Sequence, residues 1–352
     1  MGTFPIRLCE LLFMSSLPPR ATLIEVATLA GTSKTSVSRF FGPERDRLSP
    51  KLRERIEQAA HTLGYRPNLM ARGLKGGGSR LLGMLVADIR NPFSVAVVHG
   101  VEQAARAYGY SLIVCNTDND PEQEQHHLEL LAAYQVEGII INAAGQPESQ
   151  LTAIKRAGVP VVLLDRDIHT LSEPVIGLDN ALAIDMALNH LIGQGYRTVL
   201  YVSNPPEGAS ARQERLVRFQ HQASQRGLNA HTLTELNERA LSAALTSLAS
   251  AVSSTPSAVL CANGTATLSV VQSFQAQGLN MGPLGLMGID EMAWCDLVGP
   301  GITTLAQPTD AIGHTAVKHL LHPTDTAITF RHPPRLHARG STVPGKTRTT
   351  AD

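Results

Sequence analysis

The sequence predicts an all-α helix-turn-helix head followed by an α/β body of two doubly wound parallel-sheet lobes. Three observations carry this. Residues 22–42, TLIEVATLAGTSKTSVSRFFG, have the spacing of two short helices joined by a tight turn. From residue 81 onward, continuous apolar runs alternate with amphipathic helical stretches. Charge is also divided between the two parts. Between Pro19 and Arg80 twelve Lys or Arg stand against five Asp or Glu, so a chain of zero formal net charge has a basic front and an acidic remainder. At 352 residues the chain is long enough for two or three domains.

In the head, Ala27 is small enough to let two helices approach, Gly31 permits a positive φ in the turn, and Val37 plugs the core between them. The second helix then presents Lys34, Thr35, Ser36, Ser38 and Arg39, a face suited to the major groove of double-stranded DNA. A generic helical hairpin with a solvated face fits the spacing as well. A third helix starts at Ser49, a natural N-cap, with Pro50 in the first turn, and Gly64 ends it. Leu52, Ile56, Ala59, Ala60 and Leu63 supply its apolar stripe. The domain boundaries expected are a disordered extension over 1–19, with Met14 an alternative start, the head over 20–66, and a hinge and linker over 67–79. In the hinge Asn68 can cap a short helix, but Gly73 weakens it by about 1 kcal/mol relative to Ala. Such a segment either orders on a partner or is a plain tether, with the glycines of residues 76–78 behind it.

The body is expected over 80–343 and a tail over 344–352. Nine candidate strands are LLGMLVADI, YSLIVCNT, EGIIINA, VPVVLLD, PVIGLD, RTVLYVSN, SAVLCAN, LGLMGID and ITTLAQP. So many βα units exceed one compact layer and imply two lobes with a cleft at the carboxyl ends of the strands. Polar residues at those ends point into it. They are Asp88 and Asn91 in the first βα loop with Phe93 beside them, Asp165 and Arg166, Arg212 and Arg215 in SARQERLVRF, Asn263 and Asp290. Forked guanidinium groups suit a carboxylate, and Asp and Asn suit hydroxyls, so a polyhydroxy acid would use both. Trp294, the sole Trp, either stacks on a ligand or packs in the core.

The runs IEVATLAGTSKTSVSRFF, GYRPNLMARGLK and GMLVADIRNPF resemble the lactose/galactose repressor family of bacterial transcription factors, over residues 22–343. The resemblance implies a body like that of periplasmic sugar-binding proteins, with three chain crossings near Asp179, Gln307 and Pro333. It implies that Lys34, Thr35 and Arg39 read bases while Thr22, Ser33, Ser36 and Ser38 touch phosphates or flank the readers. It also implies paired hinge helices in the minor groove, with Asn68, Ala71 and Leu74 at the matching positions and Leu74 as the wedge. For the effector it implies Arg215 as anchor, Asp290 and Asn263 as recurrent contacts, and Asp165 and Gln307 as weaker ones. One position departs: the family usually has Asp after that Asn, and Gly264 stands here. The segment GIDEMAWCDLVGPGITTLAQPT resembles regulators of 2-ketogluconate and related keto-sugar acids.

The implied protein is a cytoplasmic homodimer on a palindromic operator, released by a small sugar acid such as 2-ketogluconate. The tail GKTRTTAD lacks a leucine heptad, which favours a dimer over a tetramer. No cofactor and no metal are expected, since Cys9, Cys115, Cys261, Cys295 and the His126-His127 pair fall at no metal-ligand spacing. No apolar run reaches the roughly 20 residues of a membrane span. A transport-type sugar-binding protein remains an alternative, as does a sugar-acid enzyme; no G-x-S-x-G or phosphate-loop motif supports the latter.

Overall fold

The structure is a computed structural model and describes residues 21–42, 44–66, 78–168, 171, 173–252, 254–323 and 329–344. The chain divides into two compact units, residues 1–78 and 79–352. The expectations for residues 1–19, for most of the hinge and for the tail beyond residue 344 lie outside the described residues.

Among the described residues the first unit contains three α-helices, α1 (Leu23–Leu29), α2 (Lys34–Phe40) and α3 (Pro50–Thr62). Thr22 and Glu25 close α1 with a reciprocal capping box, Ser33 caps α2 and Ser49 caps α3. Gly31 takes φ +59°, which frees the turn to reverse. Val26, Ala27, Ala30, Val37, Phe40, Leu48, Ile56, Ala59 and Ala60 form the core. Arg55 on α3 donates to the carbonyls of Ala30 and Gly31, satisfying the end of α1.

The second unit holds two six-stranded sheets. The first contains β1 (Leu81–Val86), β2 (Ser111–Asn116), β3 (Ile139–Ile141), β4 (Val161–Leu164), β5 (Val175–Leu178) and β11 (Phe330–His332), in the order β11-β5-β4-β3-β1-β2. The second contains β6 (Thr198–Val202), β7 (Asn229–Leu233), β8 (Ser257–Cys261), β9 (Gly285–Ile289), β10 (Thr303–Ala306) and β12 (Arg335–His337), in the order β12-β10-β9-β8-β6-β7. The two orders are the same plan used twice. All pairings are parallel except β10 with β12, which departs from the fully parallel expectation at one edge. Apolar residues on both faces of a strand serve two cores. Leu82, Met84 and Val86 of β1 join one cluster while Leu85 joins the other; Leu260 and Val259 of β8 divide likewise.

Helices α4 (Pro92–Ala107), α5 (Pro121–Ala133) and α6 (Glu148–Arg156) cover the first sheet; α8 (Ser210–Gln225), α9 (Glu238–Ala251) and α10 (Gly264–Gln277) cover the second. Helices α7 (Asn180–Gly193) and α11 (Thr309–Leu321) follow crossings between lobes. The chain passes from β5 through Asp179 into α7, whose Ala183, Ile184 and Ala187 pack in the second lobe. It returns after β10 into α11, whose Ile312, Ala316 and Val317 pack in the first. It crosses a third time between β11 and β12. These are the three crossings that the resemblance implies. Strands β7, β11 and β12 had no sequence signal: β7 is an exposed edge and the others are three residues long.

Helix α11 is held to the first lobe by a backbone-on-backbone approach to α4. A Cβ at Gly313 would lie 2.5 Å from Gly100 C and Val101 N, and one at Gly100 would lie 2.8 Å from Thr309 O. Gly313→Ala is therefore expected to destabilise the body by about 1–3 kcal/mol through overpacking. Gly193→Ala, at an open helical position with nothing within 4 Å, is expected to be neutral or to stabilise by up to about 1 kcal/mol. Urea unfolding midpoints of the two variants check both signs.

Candidate functional site

The first candidate surface is α2. Val37 and Phe40 turn into the core of the head, which leaves Lys34, Thr35 and Arg39 exposed and Ser36 and Ser38 half-buried. Thr22 and Ser33 are engaged locally. Thr22 Oγ1 accepts from Glu25 N at 3.3 Å, and Ser33 Oγ accepts from Ser36 N at 3.1 Å. Arg39 Nε donates to Glu44 Oε2 at 3.1 Å, and Arg47 shares the same carboxylate. Exposed pairs of this kind contribute about 0–1 kcal/mol, so Arg39 can exchange Glu44 for another partner at little cost. Asn68, Ala71 and Leu74 lie outside the described residues.

The second candidate site is a cavity of about 190 Å³ in the second unit. It opens where each sheet reverses its strand order, between β1 and β3 in one lobe and between β6 and β8 in the other. Ala87 and Asp88 follow β1, Asn142 follows β3, Asn204 lies beyond β6 and Asn263 beyond β8; all line the cavity. Asp165 and Arg166 arrive from the end of β4, Asp290 from β9 and Gln307 from β10. Arg212 and Arg215 come from the first turns of α8. Of the nine effector residues expected from sequence, the structure brings eight to this cavity: Asn91, Phe93, Asp165, Arg212, Arg215, Asn263, Asp290 and Gln307.

Trp294 is the exception. It follows the turn after β9 and packs, half-buried, against the α9–α10 side of the second lobe rather than at the cavity. Its ring packs against the apolar cluster that includes Met292 and Cys295, which is the packing alternative. Asn119, Asn142, Asn204 and Thr265 line the cavity and were not singled out from sequence. Asn142 and Asn204 end predicted strands, so the rule that found Asn263 also reaches them. Asn119 owes its position to a left-handed backbone after β2, φ +59°, which the sequence does not announce.

The side chains differ in how much they leave for a ligand. Asn263 is largely engaged: its Oδ1 accepts from Ala266 N at 2.8 Å as the cap of α10 and from Thr265 Oγ1 at 2.8 Å, and one N–H of its Nδ2 donates to Asn204 Oδ1 at 3.0 Å. Asp290 accepts from Gly264 N at 2.9 Å and from Gln307 Nε2 at 2.6 Å. Burial pushes its carboxyl up, against the opposing pull of the Arg215 charge. Gly264 acquires a physical reason here. A side chain at that position would overlap Met292 Cε, and its N–H holds the Asp290 carboxylate. Asp165 and Asp290 both sit at strand ends in left-handed backbone, φ +62° and +84°, a strained conformation for non-glycine residues of the kind that collects at functional sites.

Arg215 is buried. Its Nε donates to Asn180 Oδ1 at 2.7 Å and its Nη1 to Ala262 O at 2.8 Å, while Nη2 lies 4.0 Å from Asp165 Oδ1 in the other lobe. Asn180 in turn donates to Glu214, which pairs with Arg331 of β11 at 2.9 Å. Arg212 is half-buried, and its guanidinium makes no hydrogen bond among the described residues. Burial, and next the charge of Arg166, lower its pKa from the usual value. Asp165 Oδ1 and Gln307 Oε1 are buried acceptors without a hydrogen-bond partner among the described residues. The cavity thus leaves guanidinium donors and carbonyl and carboxylate acceptors uncommitted at once. Buried polar groups are ordinarily satisfied, and each orphan carries a penalty that a complementary solute removes.

Among the described residues no group of three His, Cys, Asp or Glu is arranged to hold a metal ion. Cys115, Cys261 and Cys295 are buried free thiols. No described helix is long and apolar enough to cross a membrane.

Comparison with known proteins agrees with both surfaces. Residues 22–68 match the family described as "Bacterial regulatory proteins, lacI family". Residues 79–336 match "Periplasmic binding proteins and sugar binding domain of LacI family". The HTH-type transcriptional regulator PtxS of Pseudomonas putida is 47% identical over 303 residues, covering 86% of this chain and 89% of that protein. PtxS of Pseudomonas aeruginosa is 45% identical over 92% of this chain and 96% of its own. The HTH-type transcriptional regulator KdgR of Bacillus subtilis is 38% identical over 85% and 90%. The fold matches a crystal structure of the lac repressor dimer bound to operator and the anti-inducer ONPF, with a TM-score of 0.78 and 23% identity over 92% of this chain and 99% of that one. The relatives are transcriptional regulators, and this chain belongs to the lacI family of DNA-binding bacterial regulators.

Proposed function

We propose that the protein is a repressor of sugar-acid catabolism genes that binds a palindromic operator as a homodimer and is released by a small sugar acid such as 2-ketogluconate. The observation that carries the effector class is the unpaired Arg212 guanidinium in the same cavity as the orphan acceptors Asp165 Oδ1 and Gln307 Oε1. A carboxylate answers the first and hydroxyl protons answer the second. The resemblance of residues 288–309 to regulators of keto-sugar acids supports the same class. A thermal-shift series with 2-ketogluconate tests it, since a ligand that binds only the folded state raises the melting temperature by mass action. A flat response to 2-ketogluconate and related acids rejects the effector class.

On the DNA side, two heads on a palindrome would lie about one helical turn apart, with α2 in the major groove. Binding through Lys and Arg should weaken steeply with salt. Effector and operator communicate in this reading because the ligand favours one lobe arrangement over the other. Arg215 ties the cavity to the crossing at Asn180 and, through Glu214, to Arg331 beside the third crossing. Gln307, at the second crossing, holds Asp290.

Two outcomes follow. Arg39→Ala should lose preference for the operator over unrelated DNA by about 1–3 kcal/mol, while calorimetry shows unchanged 2-ketogluconate binding. An unaltered footprint at the same protein concentration contradicts base reading by Arg39. Arg215→Ala should abolish the effector-induced melting shift and leave operator affinity intact. It should also lower the unligated stability by about 1–3 kcal/mol, because Asn180 Oδ1 and Ala262 O lose their donors.

A further inference from the structure

We propose that Arg166 and Arg212 form an anion site divided between the lobes, which a ligand carboxylate must occupy before the cleft settles closed. This rests on the reading of the cavity as a sugar-acid site and adds where the carboxylate sits and what it does. Arg166 enters from the first lobe at the end of β4, and Arg212 from the second lobe in the first turn of α8. The segments bearing them touch across the cleft. Arg166 Nη1 reaches Gly208 O at 3.3 Å, and Asp167 N donates to Ser210 Oγ at 2.8 Å. Arg166 is held in place by Ala143 O at 2.8 Å and Asn119 Oδ1 at 3.0 Å, so it does not swing away. The Arg212 guanidinium has no hydrogen-bond partner among the described residues.

Closing the cleft therefore brings two cations together in a partly dehydrated space. Arg215 adds to the repulsion at Arg212, where Asp165 and Glu207 offset part of it, and Asp165 and Glu124 offset part of it at Arg166. The lowered pKa of Arg212 has the same origin after burial itself. A carboxylate has two oxygens and can accept from both guanidinium groups, which converts the repulsive contact into an attractive one. In an open cleft it meets one Arg; in a closed cleft it meets two. That difference is the unequal affinity a switch requires. A neutral sugar leaves the repulsion in place, so the same pair selects acids.

The probes are 2-ketogluconate and D-fructose, which share the carbon skeleton and the remaining hydroxyls and differ in a carboxylate against a hydroxymethyl at C1. In calorimetry on the full chain, the wild type should prefer the acid by about 100-fold. In Arg212→Gln the preference should fall below about tenfold through weaker acid binding, and Arg212→Lys should recover part of it. Unligated Arg212→Gln should melt no lower than the wild type and show a smaller radius of gyration in solution scattering, because the repulsion is gone. Retained preference in Arg212→Gln overturns the proposal and leaves the sugar-acid reading standing. A drop of several degrees in its unligated melting temperature also overturns it, since Arg212 would then stabilise the empty cleft. A wild type that binds neither probe, or both alike, overturns the proposal together with the reading beneath it.

Discussion

The body depends on keeping the buried Arg215 guanidinium satisfied. A buried cation without partners is strongly destabilising, so the groups around it are constrained to stay where they are. Those groups are not local. Asn180 opens the helix after the first crossing, Ala262 ends a strand of the second lobe, and Asp165 belongs to the first. One side chain thereby fixes a crossing, a strand end and the facing lobe relative to each other. The second crossing is tied in separately, through Gln307 and Asp290 to the backbone of Gly264. Cavity and crossings are thus joined by two hydrogen-bonded sets, one around Arg215 and one around Asp290.

The head obeys a simpler constraint. Helices α1 and α2 have seven residues each, too short to persist alone in water. Side-chain caps at Thr22, Ser33 and Ser49, and Arg55 against the end of α1, satisfy the backbone groups that such short helices expose in proportion to their length. Thr22 and Ser33, which the resemblance associates with phosphates, are thus first of all what makes the helices begin.

Much of this was legible in the sequence where a physical rule forces a pattern. Strands buried on both faces must be apolar throughout, which marked β1, β3, β4, β6, β8 and β9. A reversing turn between helices needs a residue such as Gly31. Polar residues at the carboxyl ends of strands must face the cleft, which located Asp165, Asn263 and Asp290, while Gln307 came from the family resemblance. What escaped had no such obligation. β7 is an exposed edge whose residues face water, and β11 and β12 pair over three residues each. Asn119 is at the cavity only because of its backbone conformation. Trp294 carries chemistry suited to either a ligand or a core, and only the direction of the chain after β9 separates the two. Side-chain commitments were also invisible: the family resemblance marks Asn263 as a recurrent contact, yet both of its polar atoms already have partners in the protein.

The repeated strand order gives the cavity an inner symmetry. Asp165 after β4 and Asp290 after β9 occupy equivalent places and share a left-handed backbone. The cavity lies between two versions of one strand order, which differ at the edge where β12 runs antiparallel to β10 and β11 parallel to β5. Exchanging groups between matching strand ends alters the lining of the chamber while the strand order stays as it is, so a change of lining requires no new loop.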